Sequence, residues 1–319
     1  MIKRAIALIS LAAPAVASDF SLQLPIDCTL GENCYIQQFV DHDPNASASD
    51  FACGPLTYDT HKGTDFALDD LSIMKAGVDV LAAAAGRVVA TRDGMEDLLY
   101  TAERAAEIDG RDCGNGLVID HGSGWRTQYC HLKQGSVVVE RGQIVEAGAV
   151  LGEVGLSGRT QFPHLHMTLR KNDQVVDPFA PEGRRICDLP KDTLWAETPV
   201  FQNGGIIRAG FADAAPTYEA IKAGQPSVTD FTPQSDILAV WMHSFGAQEG
   251  DNYRMEITGP DGEIVQEEVT QKRTQAQSFR FVGKRRPPDG WASGLYTATL
   301  SLIRDGVTID TTQIAATVE

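Results

Sequence analysis

Pro163-His164-Leu165-His166-Met167-Thr168-Leu169-Arg170 is the stretch on which the reading of this 319-residue chain turns. The run His164 to Arg170 reads as a strand. In an extended strand, residues two apart point to the same face, so His164 and His166 project together while Leu165 points the opposite way into a core. Two imidazoles side by side can both bind a metal, or one can bind while the other faces a substrate.

Two further motifs lie upstream: His61-Lys62-Gly63-Thr64-Asp65 and Tyr129-Cys130-His131-Leu132. His61 and Asp65 are four apart, a spacing that suits one face of a helix. The intervening Gly63 favours a loop that leads into the strand Asp65-Phe66-Ala67-Leu68 and curls both side chains toward one metal. A lone histidine near a strand is more often a hydrogen-bonded structural group than a ligand. Four of the chain's seven histidines inside tight motifs beside Pro or Gly argue against that reading here. Neutral imidazole with carboxylate suits zinc, and three such ligands with an open fourth position describe a hydrolytic site rather than a closed structural one.

With these residues in hand, the chain resembles the lysostaphin-type (LytM-like) zinc metallo-endopeptidases, which cut peptidoglycan peptides. The family pattern is H-x-G-x-D, then Y-x-H-L, then P-H-L-H, and all three stand here in that order. Gly114-Asn115-Gly116-Leu117-Val118-Ile119-Asp120-His121-Gly122, Gly142-Gln143-Ile144-Val145 and Leu151-Gly152-Glu153-Val154-Gly155 extend the likeness over residues 55 to 180. The resemblance implies that His61, Asp65 and His166 bind one zinc ion and that His131 and His164 are the catalytic histidines. Thr160-Gln161-Phe162 before Pro163 and Met167-Thr168 after His166 depart from common family residues, and neither departure touches a metal or catalytic position. Two rivals differ in kind. One is a non-enzymatic regulator of other wall hydrolases, which would lack one or more of the three ligands; all three are present. The other is a zinc peptidase acting on a protein.

The start of the chain reads as an export signal over residues 1–17: Lys3 and Arg4, an apolar stretch from Ala5 to Ala13, and the small-x-small pattern Ala15-Val16-Ala17. That apolar run is too short for a spanning helix, and no later stretch approaches the roughly 18 to 20 apolar residues a membrane span needs. The expected location is the periplasm or the exterior. Six cysteines, an even count, favour disulfides in that setting. Cys28 with Cys34 is the most local pairing, Cys53 with Cys113 would staple segments flanking the site, and Cys130 is either a free buried thiol or a partner of Cys187. A cysteine–zinc site is disfavoured because no pair shows the two-residue spacing of such ligands. The net charge of -16 leaves phosphate backbones without the basic patches they need, so nucleic acid is not an expected partner.

The expected fold is mainly β, an antiparallel β-sheet zinc peptidase domain with a helical insert followed by a small immunoglobulin-like β-sandwich. Residues 18–54 read as a lead-in, 55–190 as the peptidase domain and 195–319 as the sandwich. Within the peptidase domain, Val78 to Leu81, Gly86 to Ala90, Leu117 to Asp120, Trp125 to Leu132, Val137 to Val139, Val150 to Val154 and His164 to Arg170 are short runs bounded by turn residues. The stretch from Asp93 to Arg111 is rich in helix formers, with Leu98, Ala102, Ala105 and Ile108 as one stripe, and would wall the cleft. Tyr129 shares the strand parity of His131, which allows a cleft-lining role or a packing one, and Asn115 between two glycines reads as a turn residue. Past Trp195 six alternating segments, punctuated by Gly259-Pro260-Asp261-Gly262 and Arg304-Asp305-Gly306, suggest hairpins. This second half carries no ligand motif; docking to a protein partner, a glycan or the catalytic domain are the uses open to it. A chain ending near Lys191 is expected to fold, bind zinc and cut soluble peptides, unless the sandwich covers a large apolar face of the first domain.

Overall fold

Alternation of apolar and polar residues becomes strand pairing in both halves of the chain. The computed structural model describes residues 20–183, 187, 189 and 192–319; the expected export signal lies outside them. The first half carries β1 (Cys34–Gln38), β2 (Thr64–Leu68), α1 (Leu71–Ala76), β3 (Asp79–Leu81), β4 (Gly86–Arg92), α2 (Ala105–Ile108), β5 (Asn115–Gly122), β6 (Trp125–Leu132), β7 (Ile144–Val145), β8 (Val150–Glu153), β9 (His164–Lys171) and β10 (Gln174–Val176). An antiparallel sheet runs β1-β2-β9-β6-β5-β4-β7 with β10 on β9, and β3 pairs with β8 in a small second sheet. β9 therefore lies between β2 and β6, which brings all three histidine motifs onto adjacent strands. The expected run Val137 to Val139 forms no strand.

The register explains the meeting. Asp65 pairs directly with His166 across β2 and β9, and Ala67 pairs with His164. Cys130 on β6 pairs with His166 from the other side. Leu165 is fully buried on the opposite face with Phe66, Leu117 and Ile119, as strand parity requires.

The lead-in is part of this body. β1 pairs with β2, and Leu22, Ile26 and Phe39 sit in the main core. Phe39 meets Phe51 and Phe179 edge-on, and Phe51 stacks on Phe179. Disulfides join Cys28 to Cys34, Cys53 to Cys187 and Cys113 to Cys130. The local pairing matches expectation, whereas the Cys53–Cys113 link and the free-thiol or Cys187 readings of Cys130 do not. The cause is topological: Cys113 enters β5 beside β6, within reach of Cys130.

The second half has β11 (Gly205–Ala212), α3 (Tyr218–Lys222), β12 (Asp230–Phe231), β13 (Ile237–Ala247), β14 (Asn252–Gly259), β15 (Gly262–Thr270), β16 (Gln275–Arg285), β17 (Gly294–Arg304) and β18 (Val307–Val318). A three-stranded sheet, β11-β13-β16, and a five-stranded sheet, β12-β18-β17-β14-β15, enclose one core of Leu238, Met242, Tyr253, Met255, Leu300 and Leu302. This is the expected β-sandwich. β13 is buried on both faces. One face fills the sandwich; the other carries Phe245 into the first half's core, where its ring lies 4.6 Å from that of Tyr35. Around that contact Gln277 donates to Tyr35 Oη at 2.8 Å, Gln37 donates to the Ala276 carbonyl at 2.9 Å, and Arg208 pairs with Asp70, the N-cap of α1.

Candidate metal centre and the histidines around it

The loop after Tyr58 delivers His61 with its Nδ1 held by a backbone carbonyl. Nδ1 lies 2.6 Å from the Phe39 oxygen; a carbonyl only accepts, so Nδ1 carries the proton and Nε2 turns its lone pair inward. His166 is set the other way round. Its Nε2 lies 2.9 Å from Thr168 Oγ1, leaving Nδ1 to face His61 and Asp65. His61 Nε2, His166 Nδ1 and Asp65 Oδ1 then form a triangle with sides of 3.2, 2.8 and 3.2 Å. Ligands about 2.0–2.1 Å from a tetrahedral zinc stand about 3.3 Å apart, so the triangle has the size of a zinc-ligand face. One carboxylate and two imidazoles, each imidazole with its second nitrogen tied down, are the donor set zinc takes. The three residues fit the metal. Among the described residues they form the one cluster of potential metal ligands.

Gly63 makes the packing of this triangle feasible. A Cβ at Gly63 would sit 2.5 Å from the Met167 carbonyl oxygen and 2.7 Å from the His166 ring. The glycine of H-x-G-x-D is thus a contact surface for the second histidine rather than only a bend.

His131 and His164 stand beside the triangle. The His131 and His164 ring centroids are 4.7 Å apart, and His164 Nε2 lies 3.7 Å from Asp65 Oδ1. Each presents Nε2, because Nδ1 donates to a carbonyl: Ser157 at 2.8 Å for His131 and Phe162 at 3.0 Å for His164, whose Nδ1 also meets Thr160 Oγ1 at 3.0 Å. Burial holds the His131 pKa well below its ordinary value, reinforced by His164 and His166. Burial also lowers that of His164, partly offset by Asp65. Both rings are therefore neutral proton acceptors near pH 7. Burial would raise the Asp65 carboxyl, but the imidazoles of His61, His164 and His166 packed around it hold it well below the usual range.

Strand parity misplaces one residue. Asn115 pairs with Leu132 and Leu117 with Tyr129, so Gly116 on β5 faces both Cys130 and His131 on β6. This is a β-bulge, and His131 takes φ 66° there. Tyr129 consequently does not share the face of His131. It is fully buried, and its hydroxyl accepts from the Ala83 amide at 2.8 Å, a packing role. Asn115 is also fully buried, and its side chain brackets Met95 through both backbone groups while reaching the Leu132 carbonyl.

The insert is partly helical, as expected, at Ala102–Arg104 and in α2. Its extended part is fastened beside the site: Asp97 accepts from the Gln134 and Leu156 amides, Asp93 accepts from Gly135, and Tyr100 donates to the Thr160 carbonyl. Of the expected stripe only Ile108 is buried; Leu98 is exposed.

Several supporting groups carried no sequence signal. The carbonyls of Phe39, Ser157 and Phe162 orient histidines irrespective of their own side chains. Thr168 was findable, since it sits two residues after His166 on the same strand face. The Asp41-His42-Asp43-Pro44-Asn45 stretch borders an open groove of about 690 Å³ beside His61, together with Asp59, Lys62 and Asp177. Asp41 accepts from the Thr60 amide at 3.0 Å, and His42 bonds Asp177 at 2.8 Å, so both tether the groove's walls. Tyr58, half exposed, lies with its ring 4.4 Å from that of His61.

Residues 59–178 match the sequence model of Peptidase family M23. The chain is similar to two peptidoglycan DD-endopeptidases of Vibrio cholerae. It is 31% identical to ShyB over 146 residues, 45% of this chain and 29% of that one, and 35% identical to ShyA over 134 residues, 42% and 26%. It is also 30% identical over 105 residues to the cell division protein DipM of Caulobacter vibrioides, 33% of this chain and 16% of that one. The chain thus spans less than a third of the length of the curated relatives it matches. Over its matched segment the resemblance read from the three motifs is borne out.

Proposed function

We propose that this chain is a zinc-dependent endopeptidase that hydrolyses peptide cross-links of peptidoglycan in the bacterial cell envelope. His61, Asp65 and His166 hold one zinc ion per chain, and His131 and His164 are the catalytic histidines. The observation that carries this reading is the ligand-sized triangle of donors with two neutral imidazoles directed at the same space. That the named relatives from Vibrio cholerae are DD-endopeptidases supports peptidoglycan as the substrate class.

When bound, zinc supplies Lewis acidity that makes water a nucleophile near neutral pH and polarises a peptide carbonyl. The chain's own residues do the rest. His131 and His164, proton-free at Nε2 and fixed through Nδ1, accept a proton from the attacking water and return one to the departing amine. Once protonated, either ring donates a hydrogen bond to the oxygen on which charge accumulates. The Ser157 and Phe162 carbonyls hold the rings in one orientation through these transfers.

Three disulfides and no free cysteine among the described residues fit an exported protein working in an oxidising compartment. Residues 55–190 form the peptidase domain of this proposal and residues 195–319 a sandwich that buttresses it and is available to a protein partner. Mass spectrometry of purified peptidoglycan digested with the zinc-loaded protein tests the reading. New free amino groups at peptide cross-links support it; unchanged muropeptides, with cleavage of a protein substrate, would replace it with a general peptidase.

A further inference from the structure

We propose that the Cys113–Cys130 disulfide is a positioning device for His131, which makes turnover dependent on the oxidation state of this one pair. The inference rests on the catalytic role given to His131 above. Cys130 is the neighbour of His131 inside the β-bulge, and Cys113 supplies the carbonyl that accepts the His131 amide at 2.8 Å. The disulfide therefore closes a small ring through the residue before His131 and the residue that holds its backbone. Neither of the other two disulfides includes a cysteine adjacent in sequence to a site residue.

His131 needs such a clasp. Its φ of 66° is a left-handed conformation that side chains with a Cβ disfavour. Three bonds hold it there: its amide to Cys113, its carbonyl from the Gly155 amide at 2.9 Å, and its ring to Ser157 at 2.8 Å. The Ser157 end is braced by the same turn, since a Cβ on Gly114 would sit 2.3 Å from the Ser157 carbonyl carbon and oxygen. Residues 113 and 114 thus touch both the backbone and the ring partner of His131. Releasing Cys113 from Cys130 frees this turn at the end of the 93–111 insert, and a small displacement of a proton-transfer group costs much of its rate.

The pair is open to chemistry. Cys113 is half-buried rather than enclosed, so a small thiol can reach it. Two molecules of reduced glutathione supply two electrons and two protons. The protein S–S bond breaks to two cysteine thiols, and one glutathione disulfide forms; oxidised glutathione reverses the step. The consequence is an enzyme whose turnover is low in a reducing compartment and rises on oxidation.

The test is a double-mutant cycle of Cys113→Ser/Cys130→Ser in the wild-type and His131→Ala backgrounds, with zinc per chain, kcat and KM measured on soluble cross-linked muropeptides. The expected result is a fall in kcat of about ten- to a hundredfold in the wild-type background, with KM and zinc unchanged. No further fall should occur in the His131→Ala background. A second arm treats folded wild-type protein with reduced, then oxidised, glutathione: turnover should fall and return with zinc retained, while the serine pair variant stays unresponsive. Equal losses in both backgrounds, loss of zinc, or undiminished turnover without the disulfide would each overturn the proposal. If the serine pair does not fold, Cys28→Ser/Cys34→Ser and Cys53→Ser/Cys187→Ser become the controls of the glutathione arm: both should still lose and regain turnover, and loss of the response in either would overturn the proposal. Full turnover in His131→Ala by itself would instead remove the catalytic role of His131 and leave the metal assignment standing.

Discussion

Thr168 Oγ1 lies 2.9 Å from His166 Nε2 and so decides which nitrogen of that ring faces Asp65 and His61. The two residues are neighbours on one face of β9, and the hydroxyl accepts the ring proton. Outer partners of this kind are worth about ten- to a hundredfold in metal affinity. Thr168→Val should weaken zinc binding by about that factor, and Thr168→Ser should restore it. Competition with a chromophoric chelator reads both.

Asp97 ties the insert to the loops on either side of His131, accepting from Gln134 and Leu156. Asp97→Ala should cost about 1–3 kcal/mol in denaturant unfolding, since two backbone donors lose a charged acceptor. Replacing residues 93–111 with a Gly-Ser turn should leave zinc bound and change the rates on small cross-linked peptides and on intact sacculi by different factors. Equal factors would make the insert a spectator.

Asp69, beside the contact between the two halves, has its carboxyl pushed up to about 7 by burial, with Arg208 opposing and Asp70 reinforcing the shift. Between the ordinary carboxylate value and pH 7 the folded chain keeps a proton that the unfolded chain has lost. Stability from this group is therefore lost as pH rises through that window. Asp69→Asn should raise the melting temperature at pH 8 and leave it nearly unchanged at pH 4. A scan at both values measures the difference.

Most of the site was legible because its side chains do chemistry that few residue types can do. Strand parity placed His164 with His166, and Gly63 between His61 and Asp65 pointed to a loop. The bulge at Cys130–His131 was not legible: it depends on the pairing of β5 with β6, which no local pattern states. For the same reason the Cys113–Cys130 link escaped, and Tyr129 was left between two roles. In the second half the six alternating runs correspond to β13 to β18, although β13 and β16 run further than the alternation marks. The role of Phe245 and Gln277 in joining the halves came only with the three-dimensional contact.

That contact sets the cost of separating the halves. Phe245 packs on Tyr35, Gln277 bonds Tyr35, and Arg208 pairs with the buried Asp70. A chain ending near Lys191 should unfold at a markedly lower temperature than the full chain, because truncation uncovers an apolar face and removes the charge partner of the buried Asp70. Thermal unfolding with zinc content of both forms checks this; equal melting temperatures would show that the contact contributes little.

Five residues divide into metal ligands and proton carriers, and that division is open to one paired measurement. Zinc per chain and release of cross-linked peptides from purified peptidoglycan are determined together for wild type, His166→Ala and His131→Ala. The predicted result is that His166→Ala loses both zinc and activity, while His131→Ala keeps zinc near one per chain and loses turnover. Full zinc retention by His166→Ala, or loss of zinc from His131→Ala, would contradict the assignment.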